Sequence, residues 1–248
     1  MKQKKKLWIG VPVLLLLLLV CAFLIYSAVY YHADGTALAA LRSDETVSVS
    51  QTSYGWFFDG PSKEDALVFY PGAKVEEIAY APLMRLLAER GMDVCLVKMP
   101  LRFAFFGMNR ANDVMEQYAY AHYYIGGHSL GGAIAANYAA ENGEKLAGII
   151  LLAAYPTKQL PKHLKEITVY GSEDRILNME KLEAGKAYAP DHSYTSVISS
   201  GNHAQFGNYG EQRGDGKAGT TAASQQEQTA AFIMSSIFGD DPRPKPSP

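Results

Sequence analysis

Ten residues, Tyr123-Tyr124-Ile125-Gly126-Gly127-His128-Ser129-Leu130-Gly131-Gly132, leave the backbone around them little freedom. They read as a short apolar strand, a cramped turn with Ser129 at its apex, and a helix packed close behind. Gly127 to Gly131 fits G-x-S-x-G, the spacing of a nucleophile elbow. On such a turn the neighbours must be small, because a Cβ would collide with the adjoining strand or helix. The turn lifts the serine oxygen clear of the sheet and aims the first helical N–H groups at charge developing beside it. The pattern alone arises by chance in about one chain of this length in twelve, so a Gly-rich turn without chemistry is its bland reading. Other glycine motifs fit less well. A dinucleotide fingerprint would need glycine where His128 stands and an acid after the next strand, where Leu151-Leu152-Ala153-Ala154 is found. A P-loop would need Gly-Lys-Ser/Thr, and none follows.

The surrounding chain supports an α/β architecture. Val47 to Ser50 alternates as a half-buried strand, with Trp56 to Phe58 as its partner. Ala66 to Tyr70 is a continuous apolar run of the kind buried in parallel sheets, and Asp93 to Lys98 reads as another buried strand. Pro82 opens a helix that Gly91 caps, and a second is expected over Arg110 to Ala119. Behind the elbow, Gly131, Gly132, Ala135, Ala136 and Ala139 form a small-residue face. Strands follow at Leu146 to Leu152, Glu166 to Tyr170 and Tyr194 to Ile198, with helices at Met179 to Tyr188 and Ser224 to Phe238. Alternating strands and helices imply right-handed crossovers and a mostly parallel sheet covered on both faces. With 248 residues, 48% of them hydrophobic, one sizeable domain plus appendages is expected.

Leu7 to Tyr30 carries no charge, and these 24 residues would span about 36 Å as a helix, enough to cross a hydrocarbon core of about 30 Å. Run length favours an uncleaved anchor over a signal peptide, whose apolar part is about 7–15 residues. A lipoprotein reading would use Cys21, but Val20 before it is too bulky. Lys2, Lys4, Lys5 and Lys6 precede the span, whereas Asp34, Arg42, Asp44 and Glu45 follow it. The positive-inside rule then puts the N-terminus in the cytoplasm and the domain outside the cell membrane. Trp8 and Tyr26, Tyr30 and Tyr31 flank the span as interfacial aromatics do. The expected organisation is a basic stub and anchor (1–31), a connector (32–46), the α/β domain (47–238) and a tail (239–248). The formal net charge of −2 includes the stub lysines and leaves no basic nucleic-acid footprint. Cys21 and Cys95 make neither a plausible disulfide nor a metal site.

A serine nucleophile needs a base, and the base needs an orienting carboxylate. In open α/β sheets the working residues gather beyond the carboxyl ends of the strands. After Tyr170 come Gly171-Ser172-Glu173-Asp174, and after Ile198 come Ser199-Ser200-Gly201-Asn202-His203. Either Glu173 or Asp174 can serve as the acid. Of the six histidines, His203 stands at a strand end. His32 belongs to the connector, His122 precedes the elbow strand, His163 lies in a polar connection and His192 begins a strand. His128 occupies the variable elbow position, with its ring expected to point away from the nucleophile.

In these residues the chain from about Val47 resembles the α/β-hydrolase superfamily, with its order of nucleophile, acid and histidine. With Ala66 to Tyr70 as the third strand, the resemblance implies a sheet of about eight strands, the acid after the seventh and the histidine after the eighth. The Gly-x-x-Asp spacing it implies favours Asp174 over Glu173. It also implies an oxyanion hole from the backbone N–H groups of Leu130 and, in Phe69-Tyr70-Pro71-Gly72-Ala73, of Ala73, although Pro71-Gly72 replaces the usual His-Gly. The short stretch between Leu152 and Glu166 is similar to that of small, nearly lidless members such as dienelactone-hydrolase-like proteins. Those commonly use cysteine, so their substrate does not transfer to a chain with Ser129.

The expectation is therefore a membrane-tethered serine hydrolase acting through Ser129, Asp174 and His203. It would cleave a carboxylic ester or related acyl bond of a small or lipid-like substrate, without metal or organic cofactor. The alternatives are a non-catalytic binding module on the same fold, or an acyltransferase using the same triad. Leu101 to Met108 is unusually aromatic for a loop. It is read as lining an acyl pocket, docking on the membrane, or simply packing where a cap is missing.

Overall fold

The computed structural model describes residues 2–239, and their side chains from residue 11 onward. The Trp8 side chain and the expected tail beyond Gly239 therefore lie outside what is described. Two units separate, residues 1–30 and the chain from Tyr31. The first is helix α1, Lys2–Ala28, whose segment Val11–Ala28 is long and apolar enough to cross a membrane. Every leucine from Leu14 to Leu19 is more than half exposed. A helix apolar on all sides and uncovered by protein suits lipid.

In the domain, the short helix α2 (Gly35–Ala39) precedes strands β1 (Ser48–Gln51), β2 (Gly55–Asp59) and β3 (Asp65–Tyr70). Helix α3 (Ala81–Glu89), strand β4 (Asp93–Val97) and helix α4 (Arg110–Gln117) follow. Next come β5 (His122–His128), α5 (Leu130–Asn142), β6 (Gly148–Leu152) and β7 (Lys165–Gly171). Helix α6 (Met179–Gly185), strand β8 (His192–Ile198) and helix α7 (Ala222–Phe238) complete the chain. The eight strands form one sheet in the order β1-β2-β4-β3-β5-β6-β7-β8. The β1–β2 and β2–β4 pairs are antiparallel and the rest parallel. This is the α/β-hydrolase sheet.

Side-chain alternation along β3 divides the core between two faces. Leu67 and Phe69 join Leu83, Met84 and Leu87 of α3 and Ala230, Ile233 and Ile237 of α7. Val68 and Tyr70 join Ala111 and Val114 of α4 and Ala135, Tyr138 and Ala139 of α5. Both faces are covered, which is why β3, β4 and β6 read as unbroken apolar runs. Helix α4 stops two residues short of the expected Ala119. Tyr118 turns extended there to stack on Phe57 at 4.7 Å between ring centroids.

The expected connector, 32–46, is instead part of the domain. Tyr31 pairs with Val75, the Asp34 N–H donates to the Asn208 carbonyl, and Ala37 is fully buried. Arg85 donates to the carbonyls of Ala40 and Arg42 and to the Asp44 carboxylate. Charge patterning alone gave no sign of this docking, because Arg85 reaches two backbone carbonyls as well as the Asp44 carboxylate.

The chain moves from β3 to β4 on one side and then to β5 on the other, so a crevice opens beyond the carboxyl ends of β3 and β5. There the backbones nearly touch. A Cβ on Gly131 would sit 2.2 Å from the Tyr70 carbonyl oxygen and 2.3 Å from that of Pro71. Helix propensity favours alanine by about 1 kcal/mol, but the collision outweighs it. Gly131→Ala is expected to destabilise the protein by about 1–3 kcal/mol net, read as a lowered thermal midpoint of the detergent-solubilised chain. A raised midpoint would show that the two backbones are not in contact.

Candidate active site

Ser129 joins β5 to α5 with φ of 54° and ψ of −123°. A left-handed φ is costly for a non-glycine residue and is held only where neighbours fix it. Here the Ser129 N–H donates to the Leu152 carbonyl at 2.9 Å, and its own carbonyl accepts from Ala133. Gly127 allows the turn, since a Cβ there would meet the Tyr70 oxygen and the Gly131 carbonyl carbon, each at 2.6 Å. The serine is half-buried.

The connection after β7 carries Asp174, and the one after β8 carries His203. Asp174 Oδ1 accepts the N–H groups of Ile176 and Leu177, each at 2.8 Å. That leaves Oδ2 to accept from His203 Nδ1 at 2.8 Å. Both side chains are essentially inaccessible, at 0% and 1% exposure. Glu173 instead receives the Ser172 hydroxyl. With Nδ1 committed to the aspartate, His203 Nε2 is the free ring position; it is buried and has no hydrogen-bond partner. No hydrogen bond joins it to Ser129 Oγ, a bond that in unliganded enzymes often closes only with substrate bound.

Polar contacts with no sequence signature hold the histidine loop. Asn202 exchanges two hydrogen bonds with the fully buried Gln225 of α7, its N–H donating to Oε1 and its carbonyl accepting from Nε2. Asp215, in the Gly-rich stretch after β8, accepts the N–H groups of Ala204 and Gly216. A cavity of about 500 Å³ opens beside this loop, walled in part by Asn202, Gln205 and Asp215; Ser129 is not in its wall.

His128 is not turned away from the centre in isolation. Its ring lies 4.4 Å from that of His203 between centroids, and the side chain is 1% exposed. The reason is Tyr80, which sequence reasoning missed. The Tyr80 oxygen accepts the Gly72 N–H at 3.1 Å and lies 2.8 Å from His128 Nδ1. With the Gly72 N–H donating to its oxygen, the Tyr80 hydroxyl proton is placed to donate to His128 Nδ1, an arrangement that goes with the Nε2–H tautomer. One tyrosine thus joins the loop after β3 to the histidine pair. The N–H groups of Leu130 and Ala73 have no acceptor among the described residues. Of the other histidines, His122 pairs with Asp65 and His163 meets the Gly143 carbonyl. Among the described residues no cluster of three or more His, Cys, Asp or Glu side chains is arranged to hold a metal.

Burial, and then the nearby His203, hold His128 well below the ordinary imidazole value; a contact with the His203 backbone offsets only part of this. The unfolded chain protonates the same group near pH 6.5. Its stabilising contribution is therefore complete above that pH and lost as pH falls below it, at about 1.4 kcal/mol per unit until His128 protonates in the folded state. The thermal midpoint should drop more steeply from pH 7 to 5.5 in the parent than in His128→Gln. Equal slopes would contradict a neutral buried ring.

A family model described as an alpha/beta hydrolase family matches residues 66–228. No curated protein matches. Among solved structures, a membrane phospholipase A described as a bacterial virulence factor superposes with TM-score 0.59 at 14% identity, over 92% of this chain and 97% of its own. Dienelactone hydrolase from Anabaena variabilis gives 0.58 at 12% identity, over 77% and 98%. A carboxylesterase from Bacillus subtilis gives 0.55 at 8% identity, over 82% and 95%. Identities this low speak to the fold.

Proposed function

We propose, for a chain that belongs to the alpha/beta hydrolase family, that it is a serine hydrolase cleaving a carboxylic ester or related acyl bond. The observation that carries this reading is the buried Asp174–His203 pair, bonded through Nδ1 at 2.8 Å with Nε2 left free. It stands at the same end of the sheet as a strained serine. Ser129 Oγ attacks the carbonyl carbon as His203 Nε2 takes its proton. Asp174 holds the imidazole tautomer and stabilises the imidazolium. The N–H groups of Leu130 and Ala73 receive the oxyanion. The tetrahedral intermediate expels the alcohol, whose oxygen receives from His203 the proton that Ser129 gave up. Water, activated by the same histidine, then releases the acid and frees Ser129.

Helix α1 is read as a single-pass membrane anchor with its N-terminal lysines in the cytoplasm and the domain outside. Uniform apolarity over Val11–Ala28 and the charge asymmetry around it support that reading.

Turnover of nitrophenyl esters with short and medium acyl chains tests the chemistry. Ser129→Ala, folded by circular dichroism, is expected to lose at least about 1,000-fold in kcat. Asp174→Asn should lose about 1,000- to 10,000-fold, because the amide favours the wrong imidazole tautomer. Glu173→Gln should stay within a few-fold of the parent. A folded Ser129→Ala that keeps its rate would remove the nucleophile assignment, and free acid absent from the products would point to an acyl acceptor other than water.

A further inference from the structure

The aromatic stretch between β4 and α4 is not absorbed by the chemistry above. It forms two short helical turns, Pro100–Arg102 and Ala104–Phe106. Phe103 and Ala104 face the interior, whereas Leu101, Phe105 and Phe106 are 40%, 46% and 50% exposed. The Phe105 ring lies 4.4 Å from that of Phe106 and 5.2 Å from that of Phe103, so the outward side chains form a patch rather than scattered contacts. The backbone is bent to present them. Leu101 and Arg102 are consecutive non-glycine residues at φ of 51° and 60°, a conformation retained only where surrounding structure enforces it.

The enforcing contacts lead back to Tyr31, where the domain begins. The Lys74 N–H donates to the Arg102 carbonyl at 2.9 Å, and Lys74 itself has φ of 58°. The Tyr31 N–H donates to the Lys74 carbonyl at 2.7 Å, and the Glu76 N–H to the Tyr31 carbonyl at 2.9 Å. Tyr31 is the first residue of the domain, and helix α1 ends at Ala28. Three residues reach at most about 10 Å. Whatever direction α1 takes, the point where the chain leaves the domain toward it is two backbone hydrogen bonds from the exposed patch. Lys74 also directly follows Ala73, so the same edge carries a proposed oxyanion donor.

We propose that Leu101, Phe105 and Phe106 insert into the lipid interface, holding the edge that carries Lys74 and Ala73 against the bilayer. The occupant of the patch is lipid, because a domain tethered within about 10 Å of a bilayer holds this edge at its surface. Lys74 and Arg102 place positive charge beside the apolar groups, the combination by which interfacial segments bind anionic membranes. The substrate class this orientation serves is an acyl ester resident in the membrane. The docking rests on the reading of α1 as a membrane anchor and is independent of the chemistry at Ser129.

The test uses the full chain, in a Cys21→Ser background, reconstituted in vesicles of phosphatidylcholine and phosphatidylglycerol. Nitroxide labels are placed at Phe106→Cys, at Phe105→Cys, and, as reference, at Glu144→Cys near the amino end of β6. Power saturation with oxygen and a water-soluble relaxant reads the depth of each. Docking predicts both phenylalanine sites about 5–10 Å into the interface and Glu144 in water. Water-exposed labels at 105 and 106, in protein that resists alkaline extraction, would overturn the docking while leaving the anchor. Labels shielded from both relaxants would mean contact with a second copy instead of lipid and would equally overturn it. Release of the protein by alkaline carbonate would remove the anchor and the proposal with it.

Discussion

The close approach of two backbones at the carboxyl ends of β3 and β5 is the constraint on which the rest of the site depends. Strand pairing brings Tyr70 opposite Gly127, and Gly131 then lets α5 start against the carbonyls of Tyr70 and Pro71. With α5 seated there, the Leu130 N–H opens the helix beside the loop that carries Ala73. A side chain at either glycine would push the helix off the strand and separate the two proposed oxyanion donors. The left-handed φ at Ser129 follows from the same packing, because no relaxed turn joins β5 to a helix this close. Stability and chemistry thus share one contact.

Assembly of the other half of the site is a matter of buried polar satisfaction. Strands β7 and β8 lie two and three places from β5 in the sheet, so the histidine loop must fold back across the strand ends. Such a loop carries backbone groups that water cannot reach, and each must find a partner. Gln225, Asp215 and the Ser172 hydroxyl, which accepts the Ser200 N–H, supply several of them. On the elbow side, Tyr80 and His128 fill the space against His203 with a hydrogen-bonded neutral pair. A positively charged group at position 128 would repel the imidazolium of the proposed acyl transfer, so a neutral ring is the compatible occupant.

The sheet and most helices were legible because their determinants are local. Apolar runs bounded by Gly and Pro marked β3, β4 and β6, and the small residues behind Ser129 marked the helix that must pack closest. The placing of Glu173, Asp174 and His203 beyond two strand ends was legible for the same reason, whereas the preference for Asp174 over Glu173 came from the family resemblance. Tyr80, Gln225 and the packed segment at 32–46 were not legible. Tyr80 lies 48 residues from its partner His128, and Gln225 binds backbone atoms, which every residue possesses. Nothing in the local sequence distinguishes such a tyrosine or glutamine from a solvated one. His128 shows the limit most clearly. Its elbow position was plain, but the direction of its ring depends on a hydroxyl from another element.

The most direct test of the account is intact-mass and peptide analysis of the folded protein after treatment with a fluorophosphonate. This reagent captures a serine only where a base activates it and an oxyanion hole receives the phosphoryl oxygen. A single adduct on the peptide containing Ser129, formed at least about 100-fold more slowly in His203→Ala, is the predicted result. A folded parent that carries its adduct on another residue would contradict the proposed triad, and one that remains unmodified would favour a binding module on a hydrolase fold.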